Sequence, residues 1–400
     1  MKRLAPALGL LLALGIALAR PAPEPRWWRG NTHTHTLWSD GDAAPEAVVD
    51  WYASHDYDFL VLSDHDILAD HERWMAVGEG ERISPAHVID LVQRFGSDAV
   101  ELRRVGAGQQ MRLRTLAELK AEFEEPGEFL LMPGEEVSAH DGRVPVHINA
   151  LNTASVIRPV RGEDALDTLQ KNLEAIEAHG RENGRAVLAH LNHPNFHWAF
   201  TVEQLAGMRG ERFFEVYNGH PAVNNEGDAQ HPSMERMWDE ANTLRLSELG
   251  LPPLYALATD DAHNYHRSGP DQANVGRGWI QVRASSLDPE QLIGAMRAGD
   301  FYASSGVELE SVERVGDELR VRVAAREGER CTVSFRGTRR TADGLGPAGQ
   351  LLLSTAQNPA VYRMRGDELY VRATVVSNLP QEHPDPAGGP QRAWTQPVLP

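Results

Sequence analysis

Up to about residue 305, short apolar runs alternate with longer segments whose apolar residues recur every three or four positions. Residues 58–63, 129–132, 144–151, 185–190, 212–217 and 254–259 read as strands, several of them apolar on both faces. Residues 45–56, 116–123, 164–182, 233–249 and 289–298 carry the spacing of helices with one buried face. Pro45 suits the first turn of its helix, where no backbone donor is required. Strand–helix units in series bury a parallel sheet or barrel beneath helices, so residues 26–305 are expected to form an α/β unit. Residues 67–114 break this rhythm and read as a long insertion, placed over the mouth of a site.

The texture changes at about residue 306. Residues 319–323, 331–335 and 369–376 alternate apolar and polar side chains, the pattern of half-buried antiparallel strands. Residues 306–400 are therefore expected to be a small all-β, sandwich-like domain. At the other end, Met1-Lys2-Arg3 precedes an apolar run over 4–19 that closes on Ala17-Leu18-Ala19. That layout predicts a secretory signal peptide over residues 1–19, hence export to the periplasm or beyond the cell. No later apolar segment has spanning length, so no membrane span is expected after cleavage.

The formal charge of −18 argues against a nucleic-acid partner, because phosphate neutralisation needs a basic surface. Cys331 is the only cysteine. An intrachain disulfide and a thiolate metal site are both excluded, so a metal here would be held by nitrogen and oxygen.

Groups of that kind fall at the ends of the expected strands. His33-Thr34-His35 puts two imidazoles on one side of an extended segment, and Asp40 follows in a turn-like Ser39-Asp40-Gly41. Asp64-His65-Asp66 follows the strand at 58–63, and Glu135-Glu136 follows the one at 129–132. His147 lies within the next strand, His190 and His193 close the one after, and Asp260-Asp261-Ala262-His263 follows the strand at 254–259. In a barrel of parallel strands these ends open on one face, where loops build the active site. Each element alone has a bland explanation as a satisfied turn, a cap or a solvated face; their recurrence in register with strand ends is what points to a metal cluster. His140, His197, His220 and His266, with His190, are candidates for contacts at the mouth. There is no Gly-x-Ser-x-Gly elbow, no P-loop and no Gly-x-Gly-x-x-Gly turn, which sets aside serine hydrolases and nucleotide-dependent enzymes.

Taken in order, Asn31-Thr-His-Thr-His35, Ser39-Asp40-Gly41, Leu62-Ser-Asp-His65, Pro133-Gly-Glu-Glu136, His147, Asn192-His193-Pro194 and Asp261-Ala-His263 resemble the PHP (polymerase and histidinol phosphatase) superfamily of metal-dependent phosphoesterases. The resemblance runs over about residues 28–305. Gly299-Asp-Phe-Tyr-Ala-Ser-Ser-Gly306 and the β-rich tail with Ala393-Trp-Thr-Gln-Pro397 look like an exported branch with a C-terminal β domain. The resemblance implies a distorted (β/α)7 barrel with a di- or trinuclear site of zinc, manganese or iron. It implies that His33, His35, Glu136 and Asp261 hold a first ion. Glu136 would bridge to a second ion completed by His147 and His193, and Asp40, His65 and His263 would hold a third. Asp40 stands where several relatives carry His. The family pattern Gly-x-Glu prefers Glu136 to Glu135, and His193, before proline, is preferred to His190. Asp64 is expected to orient a ligand, and His220 is a candidate general acid.

The expected activity is hydrolysis of a small-molecule phosphate ester by a metal-bridging hydroxide. Two alternatives accompany it: a carboxylic or carbamate ester hydrolase on the same site, and an extracellular binding protein that has lost turnover.

Overall fold

The computed structural model describes residues 24–400; the expected signal peptide at 1–19 lies outside the described residues. The chain runs β1 (Arg26–Asn31), α1 (Pro45–Ala53), β2 (Phe59–Leu62), β3 (Trp74–Val77), α2 (Pro85–Phe95), β4 (Leu102–Val105), β5 (Gly108–Arg112), α3 (Leu116–Phe123) and β6 (Leu130–Asp141). It continues through β7 (Val144–Leu151), α4 (Ala165–Asn183), β8 (Leu188–Leu191), α5 (Val202–Gly207), β9 (Phe213–Asn218), α6 (Met234–Leu244), β10 (Tyr255–Thr259), β11 (Trp279–Ala284), α7 (Pro289–Ala298) and β12 (Phe301–Ser304). The tail adds β13 (Leu309–Val315), β14 (Glu318–Val323), β15 (Cys331–Thr341), β16 (Gly344–Leu345), β17 (Gln350–Thr355), β18 (Ala360–Arg363), β19 (Glu368–Pro380) and β20 (Pro390–Thr395).

The result is a mixed α/β fold on one large sheet, in the order β10-β9-β8-β7-β6-β2-β1-β11-β12-β20-β19-β15-β16. In β2, side-chain alternation sends Phe59 and Val61 to one face and Leu60 and Leu62 to the other. Leu60 and Leu62 pack with Val48, Val49 and Tyr52 of α1 and Leu119 of α3. Phe59 and Val61 meet Met132, Leu188, Phe213, Leu257 and Ile280, which come from five other strands, so the sheet curls around this inner cluster. Gly30 is required by that curl, since a Cβ there would sit 2.2 Å from the Phe59 ring.

The pairing is less regular than a succession of parallel strands. β6 runs on past the expected strand end to Asp141 and turns through Gly142, at φ 59°, into an antiparallel partner, β7. The connection is too short for a parallel crossover, which needs a dozen residues or more. β7 and β8 are also antiparallel, as are β1 and β11, whereas β1–β2, β2–β6, β8–β9 and β9–β10 are parallel. The ladder does not run around a full circle. β1 and β10 meet beyond their ends through a single bridge between Thr34 and Ala262.

The insertion at 67–114 carries structure of its own, helix α2 and the antiparallel sheet β3-β5-β4. In the tail, β13-β14-β18 face β15 and β19 across a core of Leu319, Val321, Phe335, Tyr362, Val371 and Ala373. β20 pairs on one side with β12 and on the other with β19, so the large sheet passes without a break from the α/β part into the tail. Among the described residues no helix is long and apolar enough to cross a membrane.

Candidate metal centre

The centre is assembled where several strands end. β1 stops at Asn31, so His33 and His35 lie just beyond the strand rather than within it. Their alternation survives because Thr34 is clamped on both sides. Its hydroxyl donates to Val61 O at 2.9 Å, its N–H to Ser63 Oγ at 3.0 Å, and Ser63 N–H donates back to Thr34 O at 3.0 Å. On the other side His35 N–H donates to Ala262 O and Asp261 N–H to His33 O, both at 3.0 Å. Thr34 thus points outward while both imidazoles point inward. Glu136 and His147 project from the β6–β7 hairpin, while His193 and Asp261 follow β8 and β10 in loops with φ of 29° and 50°. Positive φ at non-glycine residues is sparsely populated and tends to collect at functional sites.

Around Glu136 and Asp261 the spacing is that of ligands to a common centre. His33 Nε2 lies 3.4 Å from Glu136 Oε2 and 3.3 Å from Asp261 Oδ1; His35 Nε2 lies 3.2 and 3.3 Å from the same two oxygens. Atoms bound to one tetrahedral ion at about 2.1 Å stand roughly 3.4 Å apart. Neither Nε2 has a hydrogen-bond partner, although both are fully buried. Buried imidazole nitrogens left this way are costly unless something else binds them, so the residues present fit a metal ion.

The other oxygen, Glu136 Oε1, lies 3.0 Å from His147 Nδ1 and 3.4 Å from His193 Nε2. A third group forms around the Asp40 carboxylate, whose oxygens lie 3.4 Å from His35 Nδ1, 3.4 Å from His263 Nε2 and 3.5 Å from His65 Nε2. His65 faces two ways, since its Nδ1 is also 3.1 Å from Glu136 Oε2. That nitrogen is 2.6 Å from Ser138 Oγ, which leaves Nε2 for the Asp40 side. Of the nine expected ligands, all but His33 and His35 line a cavity of about 260 Å³, together with Phe196 and His220.

Electrostatics follow from this crowding. Burial opposes charge on His33, but the carboxylates of Asp261, Glu215 and Glu136 outweigh it and raise its pKa well above the ordinary value. Burial likewise works against ionised Glu136, yet the imidazoles of His65, His33 and His147 hold its carboxyl well below the usual range. His65, desolvated but beside Glu136 and Asp40, is raised to about 9. Without ions, protons do the work of neutralising these carboxylates.

Residues outside the expected set hold the ligands in place. Glu215, fully buried in β9, accepts from His33 Nδ1 at 2.7 Å, Thr259 Oγ1 at 2.8 Å, His193 N–H at 2.8 Å and Asn218 Nδ2 at 2.8 Å. A carboxylate on Nδ1 fixes the tautomer that turns Nε2 toward the centre and raises its basicity. Asn192 Nδ2 donates to Glu136 Oε1 at 2.8 Å, and Asn218 Nδ2 donates to Asp261 Oδ2 at 3.1 Å. The one signal for Glu215 in the sequence is a lone acid inside an otherwise apolar strand.

Several expected residues stand elsewhere. Glu135 points to the opposite side of β6 from Glu136 and accepts from Ile157 N–H at 2.7 Å. His190 is buried behind His33, 3.8 Å from Glu215, where burial lowers its pKa to about 4. Asp64 is outside the cavity and touches no imidazole. It accepts from Thr36 N–H and Oγ1 and from Ser39 N–H and Oγ, at 2.6–2.9 Å, and reaches His35 only through the Ser39 hydroxyl. Asp260 is tied to Tyr52 and to the N–H groups of Gly276, Arg277 and Gly278. His140, His197 and His266 are exposed and do not line the cavity.

No family model matches the chain, and no curated protein does either. Three solved structures share 15% identity with it. One is a two-domain protein containing a predicted PHP-like metal-dependent phosphoesterase from Bacteroides vulgatus, with a TM-score of 0.41 over 94% of this chain and 97% of that one. Another, from Bifidobacterium adolescentis and assigned as a metal-dependent phosphoesterase, has a TM-score of 0.31 over 63% and 91% of the two chains. A third is an amidohydrolase from Chromobacterium violaceum with bound sulfate, at 0.29 over 59% and 88%. At such identities and TM-scores, the case for a metal centre rests on the spacing of its own side chains. Among solved structures, the chain is similar to PHP-like metal-dependent phosphoesterases.

Proposed function

We propose that the cluster holds two or three divalent ions of zinc, manganese or iron, and that the protein hydrolyses phosphate esters of small molecules. The convergence of His33, His35, Glu136 and Asp261 on one point carries the reading. These four would hold one ion; Glu136 would share a second with His147 and His193; Asp40, His65 and His263 would hold a third. Bound ions supply Lewis-acid polarisation of the ester and lower the pKa of water.

The chain's own groups shape the rest of the site. No Lys or Arg is among the residues lining the cavity, so no permanently charged side chain meets the phosphoryl charge there. Phe196 offers an apolar wall. His220 Nδ1 accepts from Ala222 N–H at 3.2 Å, which puts the proton of the neutral ring on Nε2. Burial, with His263 and His193 beside it, overcomes the pull of Asp261 and lowers the His220 pKa to about 4. Bound cations push in the same direction. His220 therefore serves as a neutral hydrogen-bond donor to an ester oxygen at pH 7, not as an imidazolium acid.

The same reading takes the curled sheet as a distorted (β/α)7 barrel, and residues 1–19 as an export signal, for which the N-terminal sequence of the mature protein is the check. Activity is tested on chromogenic phosphomonoester, phosphodiester and carboxyl-ester substrates after metal stripping and reloading, with and without chelator. Chelator-sensitive phosphate release is expected. Cleavage of the carboxyl ester alone would move the reaction to carbonyl esters, and tight metal binding without hydrolysis would leave a binding protein.

A further inference from the structure

The insertion at 67–114 contributes no side chain to the lining of the metal cavity. It grips instead the backbone that carries Asp40. Arg82 Nη1 donates to Ser39 O at 2.6 Å and its Nη2 donates to Gly41 O, so one guanidinium holds the carbonyls on both sides of Asp40. Arg73 donates to Trp38 O, and Trp38 Nε1 donates back to Arg114 O at 3.0 Å. His87 of α2 stacks on His266 with ring centroids 4.0 Å apart, and His266 Nε2 reaches Asp42 O at 3.0 Å. From the inside, Asp64 holds Thr36 and Ser39, and Asp42 N–H donates to His263 O at 2.8 Å. Gly41 presses so close to His35 that a Cβ would sit 2.4 Å from His35 O.

Asp40 needs such support more than any other proposed ligand. Its side chain is 55% exposed, whereas those of Glu136 and Asp261 are 1% and 7% exposed. Packing fixes the latter two, whereas the Asp40 carboxylate meets the Ser39 hydroxyl at 3.2 Å and the imidazoles of its own proposed metal position and is otherwise open to solvent, so its position depends heavily on the backbone beneath it. We propose that the insertion is a brace and that Arg82 is a positioning residue, which sets the Asp40 carboxylate against His65 and His263 and so determines occupancy of the third metal position. A flexible Asp40 would have to be ordered at the expense of binding energy, and the ion it holds would be the first to leave. This rests on the metal-centre reading above.

The test is metal stoichiometry and stepwise affinity of the full-length chain for Zn²⁺ and Mn²⁺, for wild type, Arg82→Met, Arg82→Lys and Asp40→Asn, with thermal unfolding of each. Arg82→Met is expected to weaken the most loosely held ion about tenfold or more and leave the other two unchanged, as Asp40→Asn does. Arg82→Lys, which can reach one carbonyl at a time, should fall between. Equal affinities in wild type and Arg82→Met would overturn the brace, as would a wild type that holds only two ions. A uniform loss of all ions with a lowered unfolding temperature would also overturn it, in favour of a general stabilising role. A wild type that binds no metal would instead sink the metal-centre reading itself.

Discussion

Replacing Glu215 with Gln isolates a group that touches His33 but no substrate. The carboxylate takes four donors on two oxygens, from His33, Thr259, His193 and Asn218. Glutamine offers one oxygen, so at least one of these buried donors would face an amide NH2. An unsatisfied buried donor costs about 1–3 kcal/mol, which sets the expected loss of stability of the metal-free protein. The second effect falls on the metal. With the charge gone, Nδ1–H no longer bonds to an anion, and the basicity of Nε2 drops. Loss of such a supporting carboxylate lowers metal affinity by about 10–100-fold, or about 1.4–2.7 kcal/mol. Zinc affinity would be measured by competition with a chromophoric chelator, and metal-free stability by urea unfolding in excess chelator. If stability falls while zinc affinity stays within about twofold of wild type, the reasoning is refuted, and Glu215 is a structural acceptor that does nothing for the ion.

Other substitutions probe separate parts of the account. His193→Ala should abolish most hydrolysis and loosen one ion, because it removes the imidazole 3.4 Å from Glu136 Oε1; full metal content with normal turnover would exclude His193 as a ligand. Glu46, 2% exposed at the start of α1, has its carboxyl pushed up by burial to about 7, despite Arg114 nearby. Since the folded protein holds that proton more tightly than the unfolded chain, stability should decline as pH rises from about 4.5 to 7 and level off above. Glu46→Gln should recover about 3 kcal/mol at pH 8 and nothing at pH 4, which paired urea titrations would read. Arg372 is fully buried, with Asp239 at 2.6 and 2.8 Å and Glu235 at 3.0 Å. Arg372→Ala strands those carboxylates of α6, and about 3–5 kcal/mol of stability should be lost; denaturation with an unchanged midpoint would contradict this. Zinc uptake near neutral pH should release protons, because His33 and His65 hold theirs more tightly than usual in the metal-free protein; isothermal titration in buffers of different ionisation enthalpy would detect it, and no buffer dependence would count against it.

Local chemistry in the sequence went a long way. Helices α1, α3, α4, α6 and α7 follow from three- and four-residue apolar spacing with Ser, Thr, Asp or Pro at their starts, and the strands under them from apolar runs. Each of these signals is complete within about a dozen residues. The same is true of the motif residues, which declare themselves by type and by falling at strand ends. Seven of the expected ligands line one cavity, and His33 and His35 lie directly behind it.

What the sequence could not decide depends on partners distant along the chain. Residue type alone does not tell Glu135 from Glu136, or His190 from His193, and only the family resemblance favoured the second of each pair; the face of β6 and the depth at which β8 stops bring Glu136 and His193 to the cavity and leave Glu135 and His190 away from it. Glu215 shows its role only when β9 brings it to His33, 182 residues away. The insertion that broke the strand–helix rhythm became a helix and a three-stranded sheet, held by the pairing of its short strands with one another and by Ile83, Val88, Leu91 and Met111, which pack into the core beside α1 and α3. The motifs at 299–306 and 393–397 likewise turned out to meet as β12 and β20, joining the tail to the large sheet. Residue type and spacing are properties of the chain, but a ligand set is a set of distances. Those are settled only when the sheet curls and brings the ends of β1, β2, β8 and β10 to the β6–β7 hairpin.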